Sequence, residues 1–146
     1  MPLEINNLTK AKIDEKKLRT VFQNSINRLE LKTASISLAF ISELEIKKLN
    51  KIYRGQNKVT DVLSFGNQDI KEPAFSKLPL EQGFLGEIVI CPKFAETKAK
   101  LFNLNKKMMI NKLLIHGLLH LLGYDHEKSK KQAEEMEKLE TSLLSL

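Results

Sequence analysis

Apolar residues recur along this chain with two different periods, and the switches between them divide it into elements. Leu3 and Ile5 alternate with polar neighbours, which predicts a short first strand. Asp14 then offers an N-cap, with Ile13 and Leu18 placed as a hydrophobic staple, and a helix is expected to run to about Leu29. Its apolar face is Leu18, Val21, Phe22, Ile26 and Leu29, the spacing required by one side of a roughly 3.6-residue period. Ile36, Leu38 and Phe40 alternate again as a second strand. Ser42 and Glu45 form an S-x-x-E capping box that opens a helix, and Gly55 closes it. TDVLSF, Thr60 to Phe65, reads as a third strand of strong β-formers ending at Gly66.

Asn67 to Gly83 carries Pro73 and Pro79 without periodicity and is expected to be a long loop, either bordering a binding surface or a plain insertion. Phe84 to Cys91, FLGEIVIC, is the fourth strand, closed by Pro92. A helical half follows: Lys93 to about Phe102, then a long apolar helix from an Asn105 cap to Leu122, where Gly123 supplies the left-handed terminus. Ser129 and Gln132 cap a last helix with Ala133, Met136, Leu139 and Leu143 inward. This order predicts an α+β fold: one domain over residues 1–146, with a small four-stranded mixed sheet packed with about five helices.

Composition narrows the function. Hydrophobic residues at 42% and charged residues at 29% describe a globular chain and exclude a disordered one. Lys plus Arg number 24 against 18 acidic residues, a formal charge of +6 that favours polyanionic partners, nucleic acid first. The same charge also suits solubility alone. Cys91 is the only cysteine, which excludes an intramolecular disulfide and a thiolate-rich zinc site and is consistent with a reducing cytosol. MPLEINNLTK lacks the pattern of a secretory signal, and no apolar run approaches the roughly 20 residues needed to cross a bilayer, so no membrane partner is expected. Met108 to Leu122, the most apolar stretch, is broken by Asn111, Lys112 and two histidines and reads as a buried helix.

All three histidines fall within HGLLHLLGYDH, His116 to His126. Residues four apart share a helix face with Cβ atoms about 5–6 Å apart, so the rings of His116 and His120 can converge on one ion. Gly123 then breaks the helix, and the chain has room to return His126 to the same point. Three neutral imidazoles leave one tetrahedral position on Zn²⁺ for water, the pattern of a catalytic site, here at the end of a buried helix. Imidazole also suits nickel, copper and iron. The competing reading of each ring is a hydrogen-bonded core histidine, and clustering with a helix-breaking glycine favours the metal. Asp125 is either a residue that orients a ligand ring or a turn residue. Zinc peptidases with H-E-x-x-H take their general base from the position after the first ligand, and here that position is Gly117.

HGLLHLLGYDH matches the signature H-G-x-L-H-L-x-G-Y-D-H, and with it the chain resembles the YbeY family of bacterial rRNA maturation factors, metal-dependent endoribonucleases. Supporting blocks are Asn50, Tyr53 and Arg54, then TDVLSF, then Gly86 with Ile88, and finally Met136 and Glu140. The resemblance, from about Asn50 onward, implies a zinc-containing cytoplasmic enzyme that cleaves single-stranded RNA. It further implies action in 16S rRNA 3′-end maturation and ribosome quality control, with the ribosome as partner. No DNA partner is expected. By position His116, His120 and His126 resemble the metal ligands, and Arg54 the basic residue the family needs for activity. Gly66 stands where relatives commonly have Pro, and Glu87 where many have Asp.

On the helix after Ser42, Ile46, Leu49, Ile52 and Tyr53 are expected on one side and Lys47, Lys51 and Arg54 on the other. The lysines read as a solvated face. Arg54, at the helix end, can hold phosphate oxygens with two parallel hydrogen bonds. Thr60, Asp61 and Ser64 either line the substrate groove or serve strand and turn chemistry. The expected activity is a zinc-dependent endoribonuclease. The alternatives are a zinc metallopeptidase-like hydrolase, which Gly117 counts against, and a metal-stabilised RNA- or ribosome-binding protein with no chemistry of its own.

Overall fold

A computed structural model of the chain describes residues 2–66, 83–125 and 127–146. The expected loop from Asn67 to Gly83, apart from Gly83 itself, and the third histidine, His126, lie outside the described residues. Among the described residues the order is β1 (Leu3–Asn7), α1 (Glu15–Arg28), β2 (Ser35–Phe40), α2 (Glu43–Arg54), β3 (Val62–Gly66), β4 (Phe84–Ile90), α3 (Pro92–Leu101), α4 (Lys106–Leu121) and α5 (Lys130–Leu144). Four helices begin where a polar side chain takes up a backbone donor. Asp14 accepts from the Lys17 N–H at 3.1 Å, Ser42 from Glu45 at 3.2 Å, Asn105 from Met108 at 2.8 Å and Ser129 from Gln132 at 3.1 Å. Each contact satisfies a group the helix start leaves open, worth about 1 kcal/mol. Gly55 and Gly123, with φ of 70° and 101°, end α2 and α4 in a conformation that a Cβ disfavours.

The sheet is mixed, in the order β1-β2-β4-β3, with β3 at one edge. β1 and β4 run parallel to β2, Leu3 beside Ile36 and Leu38 beside Ile88, and β3 runs antiparallel to β4 with Ser64 opposite Ile88. Helices cover both faces. On one, Leu38, Ile88 and Ile90 pack with Leu18 and Phe22 of α1 and Leu113, Leu114 and Leu118 of α4. On the other, Ala39, Leu63, Phe65 and Val89 meet Ile46 of α2. A third cluster joins Ile115 and Leu119 of α4 to Met136 and Leu143 of α5. The result is the expected single α+β domain, with α4 in contact with α1, α3, α5, β3 and β4.

Three expectations change. The alternation read in β2 does not separate a wet face from a dry one, because Ser37 and Ala39 are as buried as Leu38 once helices lie on both sides. The third strand begins at Val62, after Thr60 and Asp61, and the fourth ends at Ile90, leaving Cys91 as the residue before α3. Burial pushes the Cys91 thiol above its ordinary pKa. Finally, Ile52 is 71% exposed, and Asn50 takes the buried place beside Ile46, donating from Nδ2 to the Lys58 carbonyl at 2.9 Å. Ile52 lies roughly 120° round the helix from Ile46, outside the stripe that the sheet covers.

Candidate active site

α4 is apolar nearly all round, with Met109, Ile110, Leu113, Leu114, Ile115, Leu118 and Leu119 buried. Lys112, His116 and His120, four apart, form the stripe left partly open. The two imidazoles converge. Their Nε2 atoms are 3.1 Å apart, and the rings meet edge to face at 72° with centroids 4.7 Å apart. Two nitrogens bound to one tetrahedral zinc at about 2.05 Å would sit about 3.3 Å apart, so this pair already has the separation that a shared ion requires. The pair lies in the last turns of α4, where the unsatisfied carbonyl end of a helix favours positive charge.

Behind the pair stands a carboxylate. Glu140, on the buried face of α5, places Oε2 3.6 Å from Nδ1 of His116, and its Oε1 is buried without a hydrogen-bond partner among the described residues. Two imidazole nitrogens facing one point, backed by a buried acidic group, fit a divalent transition metal. Among the described residues no group of three or more His, Cys, Asp or Glu side chains gathers to hold an ion, and His126 is outside them. Asp125 serves the turn, its Oδ1 accepting from the Glu127 N–H at 2.9 Å.

Gly117, between the histidines, is where α4 rests on the sheet. A Cβ there would come within 2.9 Å of two carbons of Ile88, which is fully buried. A side chain at this position would therefore point into the core, so the place occupied by a base in H-E-x-x-H peptidases does not open onto these imidazoles. Gly117→Ala gains about 1 kcal/mol in helix propensity and loses about 1–3 kcal/mol to overpacking. Because the clash falls on the Cγ2 branch of Ile88 as well as on its Cδ1 tip, the loss should win, and thermal unfolding should show a melting temperature lower by roughly 2–6 °C.

Ser64 connects the histidine helix to the basic one. Its Oγ donates to the Gly117 carbonyl at 3.4 Å, and its own carbonyl accepts from Nη2 of Arg54 at 2.7 Å. The Arg54 guanidinium also lies over the Phe65 ring, 5.5 Å from its centroid, while Tyr53 packs edge-on against that ring at 5.0 Å. Arg54 is otherwise exposed at the end of α2, and one of its roughly five donors is used by Ser64. Asp61 is placed differently. The residue is 7% exposed, and its carboxylate accepts from the Val62 N–H at 2.8 Å and from Thr60 Oγ1 at 3.3 Å and pairs with Lys98 Nζ at 2.5 Å. The Thr60 and Val62 contacts are strand and turn chemistry, whereas the Lys98 pair ties the start of β3 to α3. The sequence reading missed the placement of Glu140, whose signal was a carboxylate in line with Met136 and Leu143 on an apolar stripe.

The chain is thus a small α+β domain in which Ser64 ties the arginine to the helix that carries the paired imidazoles. The model of the family described as Endoribonuclease YbeY matches residues 4–146, and the chain belongs to that family. Endoribonuclease YbeY of Thermodesulfovibrio yellowstonii is 44% identical over 110 residues, 75% of this chain and 65% of that protein. Those of Persephonella marina and Ruthia magnifica are each 36% identical, covering 90% and 92% of this chain and 82% and 88% of their own. A Thermotoga maritima protein solved in solution, 30% identical, superposes with a TM-score of 0.62 over 97% of this chain and 86% of its own.

Proposed function

We propose that this protein is a zinc-dependent endoribonuclease that cuts single-stranded RNA, with His116, His120 and His126 as metal ligands and Arg54 as the group that holds the scissile phosphate. The observation that carries this reading is the 3.1 Å convergence of the two Nε2 atoms on a stripe of α4 open to solvent. The family membership supports RNA as the substrate, and the charge of +6 suits a polyanion. Bound there, zinc supplies Lewis acidity and an activated water at neutral pH.

The chain's own residues supply placement and charge. Ser64 and the Phe65 ring hold Arg54 in one orientation, and its remaining donors can grip two phosphate oxygens at once. The guanidinium then offsets charge that develops on the phosphate as the bond breaks. Ser64 fixes this arginine relative to the histidine helix through Gly117, and Thr60 and Asp61 set the start of the strand that carries Ser64. The biological role that fits is trimming of the 16S rRNA 3′ end and ribosome quality control in the cytoplasm, with rRNA and the ribosome as partners. Among the described residues no helix is long and apolar enough to cross a membrane.

The test is cleavage of a labelled single-stranded RNA by protein purified without added metal, then stripped with chelator, then resupplied with zinc. Activity should fall at least tenfold on stripping and return on zinc addition. Undiminished cutting by metal-free protein would overturn the reading. The product ends name the nucleophile: a 5′-phosphate means attack by water, and a 2′,3′-cyclic phosphate means attack by the ribose hydroxyl.

A further inference from the structure

Glu140 sits where the sequence pattern asks for an aliphatic residue. Met136, Glu140 and Leu143 are the buried positions of α5, and the first and last pack with Ile115 and Leu119 of α4. The Glu140 side chain between them is 9% exposed. Burying a carboxylate is costly unless a cation or donors receive it. Among the described residues Oε1 finds no hydrogen-bond partner, and Oε2 faces Nδ1 of His116 at 3.6 Å. That separation is longer than a hydrogen bond, so the interaction is one of charge with the ring's N–H dipole. A negative charge on the Nδ1 side favours the tautomer with the proton on Nδ1, which leaves the Nε2 lone pair facing His120.

We propose that Glu140 is a positioning residue: it fixes the tautomer and tilt of His116 so that Nε2 is presented to the metal. The inference rests on the reading of His116 as a ligand. A purely structural role, holding α5 to α4, makes opposite predictions for the variant Glu140→Leu. Leucine completes the apolar stripe, so metal-free Glu140→Leu should melt roughly 2–8 °C higher than the parent. Its zinc affinity, measured by competition with a chromogenic chelator, should nevertheless fall roughly 10–100-fold.

Glu140→Gln keeps an oxygen near Nδ1 without the charge and should lose less, about 3–10-fold. Long-range proton–nitrogen NMR of metal-free protein should find His116 mainly as the Nδ1–H tautomer in the parent and redistributed in Glu140→Leu. Zinc affinity within twofold of the parent in both variants overturns the proposal while leaving the metal site standing. If the parent takes up no zinc, the metal reading itself has failed, and an unchanged His116 tautomer then overturns the Glu140 assignment independently. Should Glu140→Leu not fold, Glu140→Gln decides by the same two measurements.

Discussion

His116→Ala is expected to lower RNA cleavage by about three orders of magnitude, the loss of roughly 4 kcal/mol of charge stabilisation, while RNA binding and the fold persist. The fold should survive because the His116 side chain is 27% exposed and lies outside the buried stripe of α4. The parent and variant need three parallel measurements: melting temperature, affinity for an uncleavable single-stranded RNA, and rate on a cleavable one. Normal cutting by a folded variant would remove the metal nuclease reading. Cutting absent from both proteins, with RNA bound equally well, would leave a binding protein without chemistry.

Arg54→Ala should reduce kcat by roughly 10²–10³-fold, the scale seen when one charge-stabilising donor is removed from a reacting centre. The expected change in melting temperature is small, since Arg54 is exposed and, among the described residues, gives the fold one hydrogen bond, to the Ser64 carbonyl, and one contact with the Phe65 ring. Arg54→Lys separates charge from geometry. An ammonium keeps the positive charge but cannot hold two oxygens in parallel or lie flat on Phe65, so recovery should be partial. Wild-type rates in Arg54→Ala would show that the Ser64 contact exists for the sheet edge alone.

Most of the fold was legible because its boundaries are marked locally. Asp14, Ser42, Asn105 and Ser129 each announce a helix through a side chain that reaches no more than three residues. What depends on partners distant in sequence was not legible. Ser37 and Ala39 give no sign that α2 will cover their side of the sheet, and Ile52 gives none that the same helix leaves it exposed. The site divides along the same line. Spacing alone brought His116 and His120 together, because four residues on a helix fix a distance. The link from Arg54 through Ser64 to Gly117 spans 63 positions of sequence from first to last and exists only once β3 lies beside α4. Glu140 could be noticed as a polar interruption, but its contact with His116 depends on how α5 crosses α4.

α4 touches three helices and two strands, α1, α3, α5, β3 and β4, and leaves one side partly open. Amide protons in such a helix exchange with solvent only when the whole molecule opens. The imidazoles thus ride on the last structure to come apart. Warming should leave the pair intact until cooperative melting, so inactivation and loss of helicity would share one curve, with no inactive yet still folded species in between.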